Sequence, residues 1–130
     1  MDNARTHTRI DKRLSGFPEE LKDGFAVVRL KTTEVMSADE QGLVHGGFLF
    51  SSADYAAMLA VNEPTVVLAK AEVKFLKPVR IGDEVVFTAR VEKREGKKII
   101  VNVVGEKNGS AVFEGEFLCV VPERHVLEKV

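Results

Sequence analysis

The stretch GLVHGGFLFSSADYAAMLAVNEP, residues 42–64, sets His45, Gly46 and Gly47 at the start of an alanine-rich apolar segment and one carboxylate, Asp54, inside it. A helix beginning there offers backbone N–H groups that lack an internal acceptor, together with the positive end of the helix dipole. That combination suits an oxygen gathering negative charge, and glycine at 46 and 47 removes the Cβ atoms that would keep a carbonyl away. His45 falls at the rim. Asp54 follows Gly47 by seven residues, about two helical turns or roughly 10 Å along the axis, too far to serve a carbonyl held by its own helix. Two such helices side by side and antiparallel in a two-fold dimer would bring the Asp54 of one to the mouth of the other. Burying an unpaired carboxylate costs on the order of several kcal/mol, so its presence in an apolar helix points to a use. Plainer readings exist for each piece: a tight turn for the glycines, a cap or loop residue for His45, a solvent-facing position for Asp54.

These groups need elements to hold them. Ala53, Ala56, Ala57 and Ala60 recur at spacings of three and four, which predicts a helix over about residues 47–62 whose small stripe lets a sheet come close. Pro64 ends it. Before it, FAVVRLKTTEVM (residues 25–36) reads as a first strand, and residues 1–24 form an extension in which SGFPEELKDG supplies turn formers and a short helical turn. After it, TVVLAKAEVKFLKP alternates, with Ala69, Ala71, Val73 and Phe75 on one face and Lys70, Glu72 and Lys74 on the other. EVVFTARVEKR, IIVNVVGEK and AVFEGEFLCVVP follow, linked by EGKK and by the Asn-Gly of NGS, both hairpin signals. The expected architecture is α+β: an antiparallel meander of four strands after the helix, five strands with the first, and one face covered by the helix. One helix covers only part of such a sheet, so an apolar face and an open edge are left for a second copy, and a homodimer is expected.

Composition narrows the class. The chain of 130 residues is 45% hydrophobic, enough for one core, and its 19 Lys+Arg and 20 Asp+Glu give a net charge of -1, unlike the basic footprint of a nucleic-acid binder. The apolar run over residues 112–121 is broken by Glu114 and Glu116, and no stretch approaches the roughly 18 apolar residues that span a bilayer. The N-terminal residues lack the apolar core of a secretory signal, so a cytoplasmic location is expected. The single cysteine, Cys119, reads as a small buried hydrophobe. His7, His45 and His125 lack metal-ligand spacing, and no serine stands in a nucleophile elbow, so neither a metal site nor a cofactor is expected.

HGGFLFSSAD resembles the HGG-x6-D signature of hotdog-fold acyl-CoA thioesterases, in particular the phenylacetic-acid-degradation type, and VKFLKPVRIGDEV resembles the Phe-Leu-basic-Pro…Gly-Asp turn of the same family. With the strand order, the resemblance covers about residues 25–121. It implies a hotdog fold, a five- to six-stranded antiparallel sheet wrapped around one long central helix, over residues 25–130 behind the extension 1–24. It further implies dimers pairing into homotetramers, and hydrolysis of an acyl-CoA thioester at the dimer interface. Carried over by position, Asp54 is the catalytic carboxylate, as general base or nucleophile; Gly46 and Gly47 form the oxyanion hole; His45 supports the loop; Lys77 and Arg80 meet the phosphates of coenzyme A. Two positions depart from the pattern. Asp39 stands where many relatives have Asn, and Ala69 where some have Ser or Thr.

The residues themselves fit that chemistry, since thioester hydrolysis needs a stabilised oxyanion, an activated water or attacking carboxylate, and a channel for an acyl chain. Two other readings remain: a non-catalytic acyl-CoA binder or sensor on the same fold, which the departures at Asp39 and Ala69 favour, and a dehydratase or hydratase using His45 with Asp54. Phe48, Leu49, Tyr55 and Met58 are open to two roles, acyl-pocket lining or core.

Overall fold

Alternation dictates the strands. Val85, Phe87 and Ala89 point inward from one strand, Val101 and Val103 from the next and Phe113, Phe117 and Cys119 from the third, all buried, while their neighbours face out. The computed structural model describes residues 3–128. In chain order the elements are α1 (Lys12–Ser15), β1 (Phe17–Lys22), β2 (Phe25–Lys31), α2 (Gly46–Val61), β3 (Val67–Phe75), β4 (Glu84–Glu95), β5 (Lys98–Lys107) and β6 (Ser110–Val120). The six strands form one antiparallel sheet in the order β1-β2-β4-β5-β6-β3, and α2 lies against one of its faces, touching every strand. This is the hotdog architecture, α+β, with one long helix.

Three details differ from the sequence reading. SGFPEELKDG is strand and turn rather than helix: β1 pairs with β2 (Phe17 opposite Arg29, Lys22 opposite Phe25), and the short helical turn lies just before it, as α1. The first strand ends at Lys31, short of Met36, because Thr32 turns the chain: its hydroxyl donates to the carbonyls of Arg80 and Asp83. Most consequentially, the strands after α2 are not one meander. β4, β5 and β6 are, but β3 pairs with β6 at the far edge (Ala71 opposite Phe117, Phe75 opposite Phe113). Residues 76–83 must then cross from β3 to β4, three strand spacings or about 14 Å, which eight extended residues cover easily. The crossing segment pairs with the loop before α2: Val44 N–H donates to the Val79 carbonyl (2.8 Å), and Leu43 bridges Arg80.

α2 is buried on nearly all sides from Ser52 to Val61, as an almost wholly apolar helix must be. The sheet covers one side, where the small Ala53, Ala56, Ala57 and Ala60 admit it. Residues 3–16 cover the other, running antiparallel to the helix. The Asn62 side chain, at the left-handed C-cap (φ 52°), accepts from the Arg5 N–H (2.7 Å) and donates to the Asn3 carbonyl (3.0 Å). At the opposite end the Ser15 and Ser51 hydroxyls bond each other at 2.7 Å. The extension is thus the lid of the core. Tyr55 and Met58 belong to that core; Leu49 reaches a surface groove described below.

The two sheet edges are unequal. β1 carries Pro18 and a register break beside it, devices that discourage pairing with another strand. β3 is nine residues long and its outer edge is uncovered among the described residues, broken only where the register shifts around Ala69.

Candidate active site

The start of α2 is fixed on both flanks. His45, the N-cap residue, donates its backbone N–H to the Met36 carbonyl (2.8 Å), next to the Val44 bond to Val79. The loop ahead of it folds around Asp39, whose Oδ1 accepts from the N–H groups of Gln41 (2.9 Å) and Leu43 (3.2 Å). The carboxylate that departs from the family's Asn is therefore a turn-former, and acceptor capacity is all this turn needs. Among the described residues nothing accepts from the N–H of Gly46 or Gly47, and the His45 side chain does not cap the helix. Two donors at the positive end of a 16-residue helix are left without partners.

The space above them is not empty. A Cβ at Gly46 would lie 3.2 Å from Cε1 of Phe75, and one at Gly47 would lie 3.1 Å from Cδ2 and Nε2 of His45. A side chain at either position would crowd a neighbouring ring, Phe75 at Gly46 and His45 at Gly47. An apolar groove opens beside Gly46, lined by Leu43, Leu49, Phe75, Leu76 and Pro78, with Lys77 on its wall. A second groove shares Leu43 and Pro78 and adds Asp39 and Arg80. Lys77 thus shares a groove with Gly46, and Arg80 lies in the one beside it. Lys77 Nζ donates to the Ser110 hydroxyl at 2.7 Å, and the Arg80 backbone N–H donates to Asp83 Oδ2 at 2.8 Å, which fixes the turn carrying the guanidinium.

Asp54 is not brought to the mouth of its own helix; it lies two turns along it. Its Oδ1 is buried with no hydrogen-bond partner among the described residues, and burial pushes its carboxyl up to about 6 from an ordinary 3.8. A carboxyl held like that changes its protonation state near neutral pH. Of the six residues singled out from the sequence, His45, Gly46 and Gly47 are consecutive at the helix start, Gly46 and Lys77 line one groove, Arg80 lines the adjoining one, and Asp54 stands apart. Phe75 was missed as a site residue. Its signal was present, since it ends the alternating strand just where the FLKP turn begins, but only the strand order shows that this end meets Gly46.

A family model described as thioesterase superfamily matches residues 41–114, a span that includes the helix mouth, Asp54, Phe75, Lys77 and Arg80. The chain belongs to the thioesterase superfamily. Among structures it is similar to an uncharacterized protein, PH1136, of Pyrococcus horikoshii, with 54% identity, a TM-score of 0.93 and 95% of each chain covered. Among curated proteins it is 59% identical over 116 residues to a methylthioribose-1-phosphate isomerase of Aquifex aeolicus, covering 89% of this chain and 25% of that one. It is also 31% identical over 97 residues to the transcription factor FapR of Caldanaerobacter subterraneus, covering 75% of this chain and 48% of that one. The chain therefore spans a quarter to a half of the curated relatives it matches. No helix of the described residues is long and apolar enough to cross a membrane.

Proposed function

We propose that the protein hydrolyses an acyl-CoA thioester to the free acid and coenzyme A, within the phenylacetic-acid-degradation type of the superfamily, at a site shared by two subunits of a homodimer. The observation that carries this reading is the pair of unpartnered N–H groups at Gly46 and Gly47, set at a helix N-terminus and opening into an apolar groove. They are placed to accept the negative charge that develops on a thioester oxygen. The uncovered β3 edge, against a blunted β1 edge, supports pairing through β3; a pairing that sets the two α2 helices antiparallel brings Asp54 of the partner subunit to this mouth. Pairs of dimers forming a homotetramer would follow the family's pattern.

In the reaction the carbonyl oxygen lies on the two glycine N–H groups while Asp54 of the partner subunit takes a proton from water. The water oxygen bonds to the carbonyl carbon, and the resulting oxyanion is held by the helix mouth. When the carbon–sulfur bond breaks, the thiolate of coenzyme A leaves and recovers the proton. Direct attack by the Asp54 carboxylate, through an anhydride that water then opens, uses the same positions. Lys77 and Arg80 would meet the phosphates of coenzyme A at the outer end of the groove, and His45 would shape the mouth.

A second reading, an acyl-CoA binder or sensor that does not hydrolyse, is favoured by the match to about half of a transcription factor. On either reading the quarter of the isomerase-named relative that matches is the same module carried in a longer polypeptide. A coenzyme A release assay over aliphatic and aromatic acyl-CoAs, with Asp54→Ala alongside, separates the two. Turnover lost in the variant supports hydrolysis; tight binding of acyl-CoA without turnover in the parent supports the sensor and overturns the enzyme.

A further inference from the structure

We propose that Phe75 selects the acyl group by limiting bulk on the carbon next to the thioester carbonyl, so that acyl groups with an unbranched CH2 there are accepted and α-branched or aryl-carbonyl groups are refused. The inference rests on the hydrolytic reading of the mouth given above. Three ring atoms of Phe75, Cε1, Cζ and Cδ1, would lie 3.2, 3.5 and 3.6 Å from a Cβ at Gly46. The ring therefore lies against the same glycine whose N–H is to hold the carbonyl oxygen. An oxygen accepting from that N–H sits about 3 Å from the nitrogen, and the acyl α-carbon is only two bonds beyond it. Any substituent on that carbon pointing toward β3 meets the ring.

The ring cannot give way toward the sheet. It stands edge-to-face on Phe113 (centroids 5.3 Å apart, 81°), which is fully buried and itself edge-to-face on the buried Phe87 (5.6 Å, 74°). Backing by a close-packed aromatic row removes the room to retreat. Its other side is open: Phe75 is 51% exposed, an unusual state for a phenylalanine anchored in a core, and that open side walls the apolar groove beside Leu43, Leu49, Leu76 and Pro78. The His45 ring lies against the next residue, Gly47, 3.1 Å from where its Cβ would be. An α-carbon with one substituent can turn it away from the Phe75 ring, and an α-carbon with two, as in an α-branched or aryl-carbonyl group, cannot.

The test compares kcat/KM for butyryl-CoA and phenylacetyl-CoA, both with an α-CH2, against isobutyryl-CoA and benzoyl-CoA, in the parent and in Phe75→Ala and Phe75→Leu. The parent should favour the first pair, and Phe75→Ala should raise the ratio of branched to unbranched activity by about tenfold or more, the size of effect one methyl group commands in an apolar pocket. Phe75→Leu, which keeps apolar volume against Phe113, should fall between. A purely structural role for the ring would lower all four substrates together and leave the ratio where it was, which would overturn the inference while leaving the hydrolytic reading intact. Absence of turnover on every substrate in parent and variants alike would overturn the hydrolytic reading and the selection with it.

Discussion

The carboxylate of Asp54 acts on the thiol of Cys119: burial first, and that neighbouring charge second, push the thiol up to about 12. A helix residue and a residue near the end of the last strand thus share one poorly solvated region. The thiolate is the reactive form, and here almost none exists at neutral pH. Iodoacetamide at pH 8 should leave Cys119 unmodified in the folded protein and label it fully in denaturant, read by mass. Rapid labelling without denaturant would show that the region is open to solvent.

Stability should carry the mark of Asp54. Its carboxyl sits near 6 in the folded chain against 3.8 ordinarily, so the folded state holds the proton more tightly. That contribution is fully present below about pH 4 and is lost as pH rises through 6. Asp54→Asn, which has no charge to bury, should therefore melt higher than the parent at pH 7 to 8, by on the order of 2 kcal/mol, with the gap closing as pH falls toward 4. A gap that does not change with pH would show the carboxylate satisfied by groups absent from the single chain.

Turnover should move in the opposite sense. On the proposed reading Asp54 acts ionised, as base or nucleophile, so kcat/KM should fall about tenfold per pH unit below an acid limb near 6, and Asp54→Asn should lose about a hundredfold or more of kcat while still binding coenzyme A. A variant that loses stability yet keeps its rate would make Asp54 structural.

Coenzyme A is a polyanion, and its affinity should drop with added salt and, several-fold each, in Lys77→Ala and Arg80→Ala. Isothermal titration at two salt concentrations checks this. The salt slope should be shallower in each variant; unchanged affinity in both removes the two residues from the site.

A shared site makes a prediction that a single-chain site does not. Asp54→Asn and Gly46→Val, the latter forcing a side chain into the Phe75 ring, should each be inactive as pure dimers. Mixed and allowed to exchange, they form heterodimers with one intact site, restoring about a quarter of parental activity in an equal mixture. Sedimentation should show a dimer or larger at micromolar concentration, and the absence of any recovery would place both groups in one subunit.

How much of this was legible beforehand depended on whether the signal was local. The alanine spacing gave α2 within a residue, and the HGG start and Asp54 stood out because glycine and carboxylate are costly in an apolar helix unless used. The place of β3 was not legible: FLKPVRIGDE looks like a short link between neighbours, and nothing in its composition tells a hairpin from a crossing to a distant strand. That one error hid Phe75, which reaches Gly46 only because β3 lies at the edge beside β6. Residues 17–22 were misjudged for a related reason, since a strand containing Pro18 and charged side chains announces itself only through its partner, β2.

The bonds at Asn62 also say how this unit can be built into larger polypeptides. Asn3 and Arg5 are tied to the C-terminal end of α2, and the Thr65 hydroxyl just beyond that end donates to the Pro122 carbonyl (2.6 Å). The chain thus enters and leaves its fold at one pole, about 24 Å of helix away from Gly46 at the other. Polypeptide added beside those ties would leave the Gly46 end of α2 clear.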